Sequence, residues 1–102
     1  MAIGLTLAGV FTPLLAQSAY FVETNKTVSS LGAQGTMFYV RFAESVGQNC
    51  QNGVLYVASD HKGIYTQLLA AKLTGRTLSR VDYSQVGANG TLCNLELVEI
   101  LN

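Results

Sequence analysis

Residues 54–84, VLYVASDHKGIYTQLLAAKLTGRTLSRVDYS, decide the fold of this chain, because the spacing of their apolar residues changes twice. The stretch opens with a short apolar run and closes with an alternating one, and both patterns are typical of strands. Between them apolar residues recur every three or four positions, which predicts the one helix of the chain. The two apolar rows of this helix are Ile64, Leu68 and Ala71, and Tyr65, Leu69 and Leu73.

Both ends of the predicted helix carry recognisable signals. Ser59 or Asp60 can cap its amino end by accepting hydrogen bonds from otherwise unpaired backbone amides. At the other end Gly75 can adopt the left-handed conformation that terminates a helix. Arg76 follows it, at the negative end of the helix dipole.

Three strands are predicted before the helix. A short one lies around residues 26–31, and a glycine-containing turn leads from it into TMFYVRFA, residues 36–43. The turn residues GQNCQNG, 47–53, then separate this strand from VLYVAS, so the two should form a hairpin. In the TMFYVRFA strand one face carries Phe38, Val40 and Phe42, and the other carries Met37, Tyr39 and Arg41.

Two strands are predicted after the helix. TLSRVDYS alternates, with Val81 and Tyr83 opposed to Arg80 and Asp82, and the loop QVGANG leads to the last strand, TLCNLELVEIL. In that strand the apolar residues change face part of the way along. A bulge near Leu97 would reset the alternation and bring them all inside. The residues concerned are Leu95, Leu97, Val98 and Ile100.

The fold class that follows is mostly β with one helix, in the order β-β-β-α-β-β. This is the element order of an OB-fold, a small five-stranded barrel. The same order also permits an open antiparallel sheet with the helix packed on one face, and the sequence does not separate the two architectures.

Residues 1–19 are interpreted as a signal peptide, and residues 20–102 as a single disulfide-stapled β-rich domain. No charged residue occurs from Ala2 to Ala19, and small residues around Ala16 and Ser18 suit a cleavage site. No basic residue precedes the apolar run, and a buried first strand or helix is the alternative. The run is barely long enough to cross a bilayer and contains polar residues, so no membrane span is expected in the mature chain. The predicted location is secreted or periplasmic.

Export would turn the two cysteines, Cys50 and Cys93, into a structural disulfide, since oxidising compartments favour that bond. The alternative is a pair of buried thiols in a cytoplasmic protein. A metal site is not expected, because CxxC and CxxH spacings are absent from the sequence and His61 is its one histidine.

Charge and motif content exclude several functions. Six basic and six acidic residues are scattered singly, so there is no basic stripe for nucleic acid, and a near-neutral surface tolerates homo-oligomers. Asp60 and His61 form the one acid–imidazole pair, but the sequence has no nucleophile elbow, and a solvated histidine at a helix start explains them. Gly87 and Gly90 are turn glycines with no helix after them to hold phosphate. No catalytic residue and no cofactor are predicted.

The helix and the last strand carry a family resemblance. The segments IYTQLLAAKLTGRTL and TLCNLELVEI, together with the element order and the late cysteine, resemble the binding subunits of A–B type toxins, with the subtilase-cytotoxin and pertussis-like group nearest. The resemblance covers residues 36–101. It implies a secreted, non-catalytic subunit that assembles into a ring and binds a glycan or a glycosylated receptor. No sugar-binding residue of that group can be matched to a position here.

The residues themselves suggest a ligand site on the outer face of the TMFYVRFA strand. Tyr39 and Arg41 share that face, and Tyr56 can lie beside them on the next strand. Tyrosine stacking on a sugar ring, beside an arginine that binds a carboxylate, would make a site for an acidic glycan. The alternative is that the N-terminal strand or an identical subunit covers this face. A different function is a monomeric periplasmic inhibitor or accessory protein that binds another protein through the loop GQNCQNG.

Overall fold

The computed structural model describes residues 19–101, which form six strands and one helix. The strands build one mixed sheet in the order β1-β5-β6-β4-β3-β2, in which neighbouring strands are antiparallel except for the parallel pair β4–β6. The elements are β1 (Ala19–Lys26), β2 (Val28–Gln34), β3 (Met37–Phe42), β4 (Leu55–Val57), α1 (Lys62–Thr74), β5 (Leu78–Gln85) and β6 (Cys93–Ile100).

The predicted class, mostly β with one helix, is confirmed, but the element order gains a strand. The predicted strand around residues 26–31 corresponds to β2, and a further strand, β1, precedes it, separated from it by Thr27 alone. β1 is not predicted from the sequence because its inward side includes the charged Glu23, which interrupts the apolar alternation. The sheet is open, since β1 pairs with β5 and β2 pairs with β3 at opposite ends of the strand order. A closed OB-like barrel is therefore not established, and the sheet is mixed rather than fully antiparallel.

The predicted signal peptide, residues 1–19, lies outside the described residues apart from Ala19, which is the first residue of β1. Within residues 19–101, no helix combines the length and apolar character that a membrane crossing requires.

One face of the sheet forms the hydrophobic core, and α1 packs on this face. Leu68 and Ala71 of α1 are buried, and Ile64 packs against the same cluster. The ring of Tyr65 stacks on Phe38 of β3 with the centroids 4.2 Å apart. The face of β3 that was predicted to point inward does so. The core residues that the strands contribute include Val28, Val40, Leu55, Val57, Leu78, Val81, Tyr83, Cys93 and Leu95.

The helix ends as predicted but does not begin as predicted. Gly75 has φ 71°, and the amide of Arg76 donates to the Ala71 carbonyl at 3.1 Å, so glycine supplies the left-handed residue that closes the helix. At the amino end the cap position belongs to His61, and it makes no side-chain capping bond. The predicted caps, Ser59 and Asp60, are wrong because these residues form a turn instead, closed by the His61 amide on the Ala58 carbonyl at 2.9 Å.

The predicted bulge in the last strand is present. Asp82 pairs with Leu97 while Tyr83 pairs with Leu95, which leaves Glu96 as the extra residue of β6. Before the bulge Leu95 points into the core, and after it the residues that pack against the core are Val98 and Ile100. Leu97 itself stays only partly buried and outside the core cluster, so three of the four apolar residues turn inward and not all four.

The predicted disulfide between Cys50 and Cys93 is present, with the Cα atoms 5.5 Å apart. It ties the long connection between β3 and β4 to the first residue of β6. Cys93 is fully buried and Cys50 nearly so. The disulfide therefore fixes the loop that precedes β4 and, with it, one side of the outer face of the sheet.

Candidate functional site

The outer face of the sheet carries one continuous row of residues in register across all six strands. Cross-strand partners point to the same face, so these side chains lie side by side. Four of the six are tyrosine or asparagine, which gives this row both aromatic surface and hydrogen-bonding groups. In sheet order the row is Tyr20, Ser84, Asn94, Tyr56, Tyr39 and Gly32.

The three residues predicted from sequence line one groove on this face. Tyr39 of β3 pairs directly with Tyr56 of β4, and Arg41 lies two residues further along β3 on the same side. The cavity has a volume of about 490 Å³. We call it the tyrosine groove, and its lining is completed by Ala33, Gln34, Asn52 and Val54.

The wall of the tyrosine groove on the β3 side combines an aromatic ring with a cation. The guanidinium carbon of Arg41 lies 5.8 Å from the centroid of the Tyr39 ring, within the range of a cation–π contact. Arg41 is exposed, and among residues 19–101 no carboxylate forms an ion pair with it. Its planar group of N–H donors is therefore available to a carboxylate ligand.

The floor of the tyrosine groove is organised by the hydroxyl of Tyr56, a residue only 6% exposed. This hydroxyl accepts a hydrogen bond from Asn52 Nδ2 at 2.9 Å and donates one to Gln34 Oε1 at 3.1 Å. Two side-chain amides are thus held at the edges of the groove. Each keeps further polar capacity for a ligand, since an amide group has two donors and an acceptor.

Gln34 and Asn52 line the groove but are not among the residues predicted from the sequence. Gln34 ends β2, and it reaches Tyr56 across the intervening strand only because β2, β3 and β4 are neighbours in the sheet. Asn52 has a left-handed backbone, with φ 60°, in the short turn Gln51–Gly53 that precedes β4. The Asn-Gly dipeptide in that turn was a usable signal for such a backbone, but it does not indicate where the side chain points.

A second polar cluster, on the inner side of β1, anchors the loop after β3. Glu23 accepts hydrogen bonds from the hydroxyl of Tyr83 and from the amide of Gly47, the latter at 2.7 Å. Lys26 pairs with Glu23 at 3.2 Å and donates to the Ser45 carbonyl at 3.2 Å. Partial burial by itself would raise the pKa of Glu23, but the hydrogen bonds from Tyr83, Gly47 and Lys26 outweigh it and hold that pKa below its ordinary value. Burial, followed by the hydrogen bond to Glu23, raises the pKa of Tyr83.

Two further carboxylates are held in their charged form. Hydrogen bonds from Arg80 are the largest influence on the pKa of Asp82 and, with the hydrogen bond from Tyr20, lower it in spite of the opposing effect of desolvation. Asp82 is 1% exposed although it lies on the outer face. Hydrogen bonds from the backbone amide and the hydroxyl of Thr27 lower the pKa of Glu44. These contacts explain both carboxylates as parts of the fold.

Other candidate chemistry is not assembled by the fold. Asp60 and His61 are both exposed at the start of α1, and Cys50 and Cys93 are joined in the disulfide. In the part of the chain that the structure describes, no group of three or more His, Cys, Asp or Glu side chains could hold a metal ion. A second cavity, of about 390 Å³, lies beside the anchored loop and is lined by residues that include Phe42, Glu44 and Leu55.

Comparison with known proteins returned no match: no protein-family model, no curated protein and no solved structure is significantly similar to this chain.

Proposed function

We propose that this chain is a secreted, non-catalytic binding protein whose tyrosine groove holds an acidic sugar of a glycan or glycosylated receptor. The observation that carries the proposal is the position of the Arg41 guanidinium beside the Tyr39 ring, in a groove whose edges present the amides of Gln34 and Asn52. One cavity therefore presents an aromatic ring and two amides to a neutral sugar ring, and a guanidinium to a carboxylate.

Each group of the groove has a role in this proposal. The Tyr39 ring offers an apolar surface to the C–H face of a sugar ring, and Arg41 binds the carboxylate through paired N–H donors. Gln34 and Asn52 hydrogen-bond to sugar hydroxyl groups, and the Tyr56 hydroxyl holds both amides in place. A few well-placed polar groups around an aromatic surface are typical of ligand sites that select orientation and identity.

The proposal includes an OB-like architecture. When β1 and β2 are counted as one strand interrupted at Thr27, the chain has the predicted order of three strands, one helix and two strands. The two ends of the open sheet are then joined by a single residue. This connection supports a sheet that curves towards closure, with the core inside and the tyrosine groove outside.

We also propose that the chain acts as a toxin-like subunit that assembles with copies of itself. The exposed apolar residues Tyr20, Val22 and Leu73, together with a balanced net charge, support such assembly. The disulfide supports an oxidising compartment, hence a secreted or periplasmic location.

The groove is tested with a matched pair of ligands and a matched pair of variants. The oxidised protein is applied to an array of glycans that carry a carboxylate and of their neutral counterparts. We expect binding to acidic glycans, and we expect Arg41→Gln to abolish it. Lys62→Gln, which removes the same charge from an exposed residue of α1, should bind as the wild type does. The absence of acidic-glycan binding, or equal loss in both variants, would overturn the proposal.

Assembly is tested by native mass spectrometry of the oxidised protein. A closed ring supports the toxin-like subunit. A monomer contradicts that part of the proposal and favours the alternative, a monomeric periplasmic inhibitor or accessory protein. Its contact would then be the loop of residues 47–53, which the disulfide anchors at Cys50.

A further inference from the structure

We infer that Gly32 is a positioning residue of the tyrosine groove: its lack of a side chain lets the Tyr39 ring lie flat across β2 and keeps the groove open. The inference rests on the proposed function for its ligand. Its structural part, the dependence of the Tyr39 ring on Gly32, stands without any ligand.

The geometry of the pair is unusually close. Gly32 and Tyr39 face each other directly on β2 and β3. A Cβ atom placed on Gly32 would lie 2.6 Å from Cζ and from the hydroxyl oxygen of Tyr39, and 2.9 Å from Cε2. These separations are far below van der Waals contact, so the ring occupies the space that any other residue at position 32 would need.

The backbone does not explain this glycine. The glycines with positive φ in residues 19–101 are Gly35, Gly53, Gly75 and Gly90, and Gly32 is not one of them. Another residue could therefore adopt the backbone of Gly32 without strain, whereas glycine within a strand costs stability relative to alanine. Glycine at position 32 allows the Tyr39 ring of the next strand to pack over it. Such packing of an aromatic ring on a glycine is known to offset the stability that glycine costs a sheet.

The direction of the ring sets the shape of the groove. The hydroxyl end of Tyr39 reaches over β2, on the opposite side of β3 from Tyr56. This leaves the space above Tyr56 and Val54 as the cavity. A side chain at position 32 would drive the ring off β2. Because the clashing atoms are the far end of a flexible side chain, the ring moves more readily than the backbone does. The cavity and the Arg41–Tyr39 contact would then change while the fold persists.

The first test compares Gly32→Ala with Gly63→Ala by NMR, in the oxidised full chain. Gly63 is the matched control, since a Cβ there meets nothing within 4 Å. In the wild type we expect contacts between the Gly32 α-protons and the Tyr39 ring protons. Gly32→Ala should shift the resonances of the Tyr39 ring and of Arg41 Hε, and Gly63→Ala should not. Unchanged resonances in Gly32→Ala would overturn the inference.

The second test measures the affinity of the same proteins for methyl β-D-glucuronide, with methyl β-D-glucoside as the neutral probe. We expect Gly32→Ala to weaken glucuronide binding by about two- to tenfold, which is the range of one lost aromatic contact. Gly63→Ala should retain the wild-type affinity. If the ring moves in Gly32→Ala but glucuronide affinity is unchanged, Gly32 does not position the groove for its ligand, and the inference is wrong.

A rescue experiment separates the inference from the proposed function. In a Tyr39→Ala background the clash is gone, so Gly32→Ala should raise the Tm by about 2–8 °C, the usual benefit of alanine over glycine. With Tyr39 present the same change should give no increase. Equal increases in both backgrounds would overturn the inference. If the Tm change differs between the two backgrounds but the wild type binds neither sugar in the tyrosine groove, the positioning role of Gly32 is supported. The proposed function is then contradicted.

Discussion

The carboxylate of Glu23 on β1 accepts a hydrogen bond from the buried hydroxyl of Tyr83 on β5, and the two strands are neighbours in the sheet. The same Glu23 oxygen accepts the amide of Gly47. Tyr83 is fully buried, and its ring lies 5.4 Å from that of Phe21. This relationship connects the core to the loop between β3 and β4, the loop that also leads to the turn carrying Asn52.

Tyr83→Phe should destabilise the domain. It removes a donor from the Glu23 carboxylate and leaves the Gln48 amide without the phenol oxygen that it contacts. A lost hydrogen bond with an unsatisfied buried partner costs about 1–3 kcal/mol, measurable by urea denaturation. Tyr65→Phe is the control, because the Tyr65 ring stacks on Phe38 and the change removes only a hydroxyl. A cost no greater than that of the control would show that Glu23 does not need this donor.

Stability should decline in acid. Glu23, Glu44 and Asp82 all have a pKa below the ordinary values of 4.5 for Glu and 3.8 for Asp. A carboxylate whose pKa is lowered by folding stabilises the native state above its unfolded pKa, and that stabilisation is lost as the pH falls through the folded pKa. Between pH 7 and 5 these three groups should therefore change the free energy of unfolding little. Below about pH 4.5 their protonation should lower it.

The acid decline has a direct control in Glu23→Gln. At pH 7 this variant should be less stable than the wild type, because it lacks the charged carboxylate that accepts these hydrogen bonds. Between pH 7 and pH 3 it should lose less stability than the wild type does. Denaturation curves at pH 7, 5 and 3 give the comparison. Parallel pH profiles for the two proteins would mean that Glu23 contributes nothing to the acid decline.

Local structure could be predicted from the sequence where the apolar periodicity is strong. It could not be predicted where it depends on pairing between strands that are distant in sequence. The alternation of β3 and the spacing of Leu68 and Ala71 in α1 gave the correct inward faces. β1 was missed because Glu23 is one of its inward residues, and a charged residue there makes sense only beside Tyr83, which is 60 residues away. The open sheet likewise depends on which strands pair, and no local pattern encodes that.

The candidate site shows the same division. Tyr39 and Arg41 were found because they share one face of one strand, and Tyr56 because a hairpin places it opposite. The amides that complete the groove come from the end of β2 and from a left-handed turn, so their meeting required the register of three strands. Gly32 could not be predicted as a site residue, because its proposed role depends on the Tyr39 ring of the neighbouring strand occupying the place of a side chain.

Removing the disulfide should cost a large share of the stability of the domain. The cysteines are 43 residues apart, and closing such a loop restricts the unfolded chain by about 4 kcal/mol on the chain-entropy estimate. Cys50→Ala with Cys93→Ala should therefore lower the free energy of unfolding by roughly that amount, plus any loss of packing at the buried Cys93. Urea denaturation of both proteins, with and without reductant, measures it. A reductant effect in the double variant, or none in the wild type, would contradict the prediction.

Leu68 and Leu73, one from each apolar row of α1, should differ sharply in their contributions to stability. Leu68 is fully buried against the sheet, so Leu68→Ala leaves a cavity and should cost about 2–5 kcal/mol. Leu73 is 76% exposed, so Leu73→Ala changes a helix surface and should stay within about 0.5 kcal/mol of the wild type. Denaturation at low protein concentration gives both values for the monomer.

If the proposed ring buries Leu73, Leu73→Ala should instead lower stability in a concentration-dependent way, because subunit binding adds to apparent stability. A large cost for Leu73→Ala that does not vary with concentration would contradict the exposed position of Leu73 on α1.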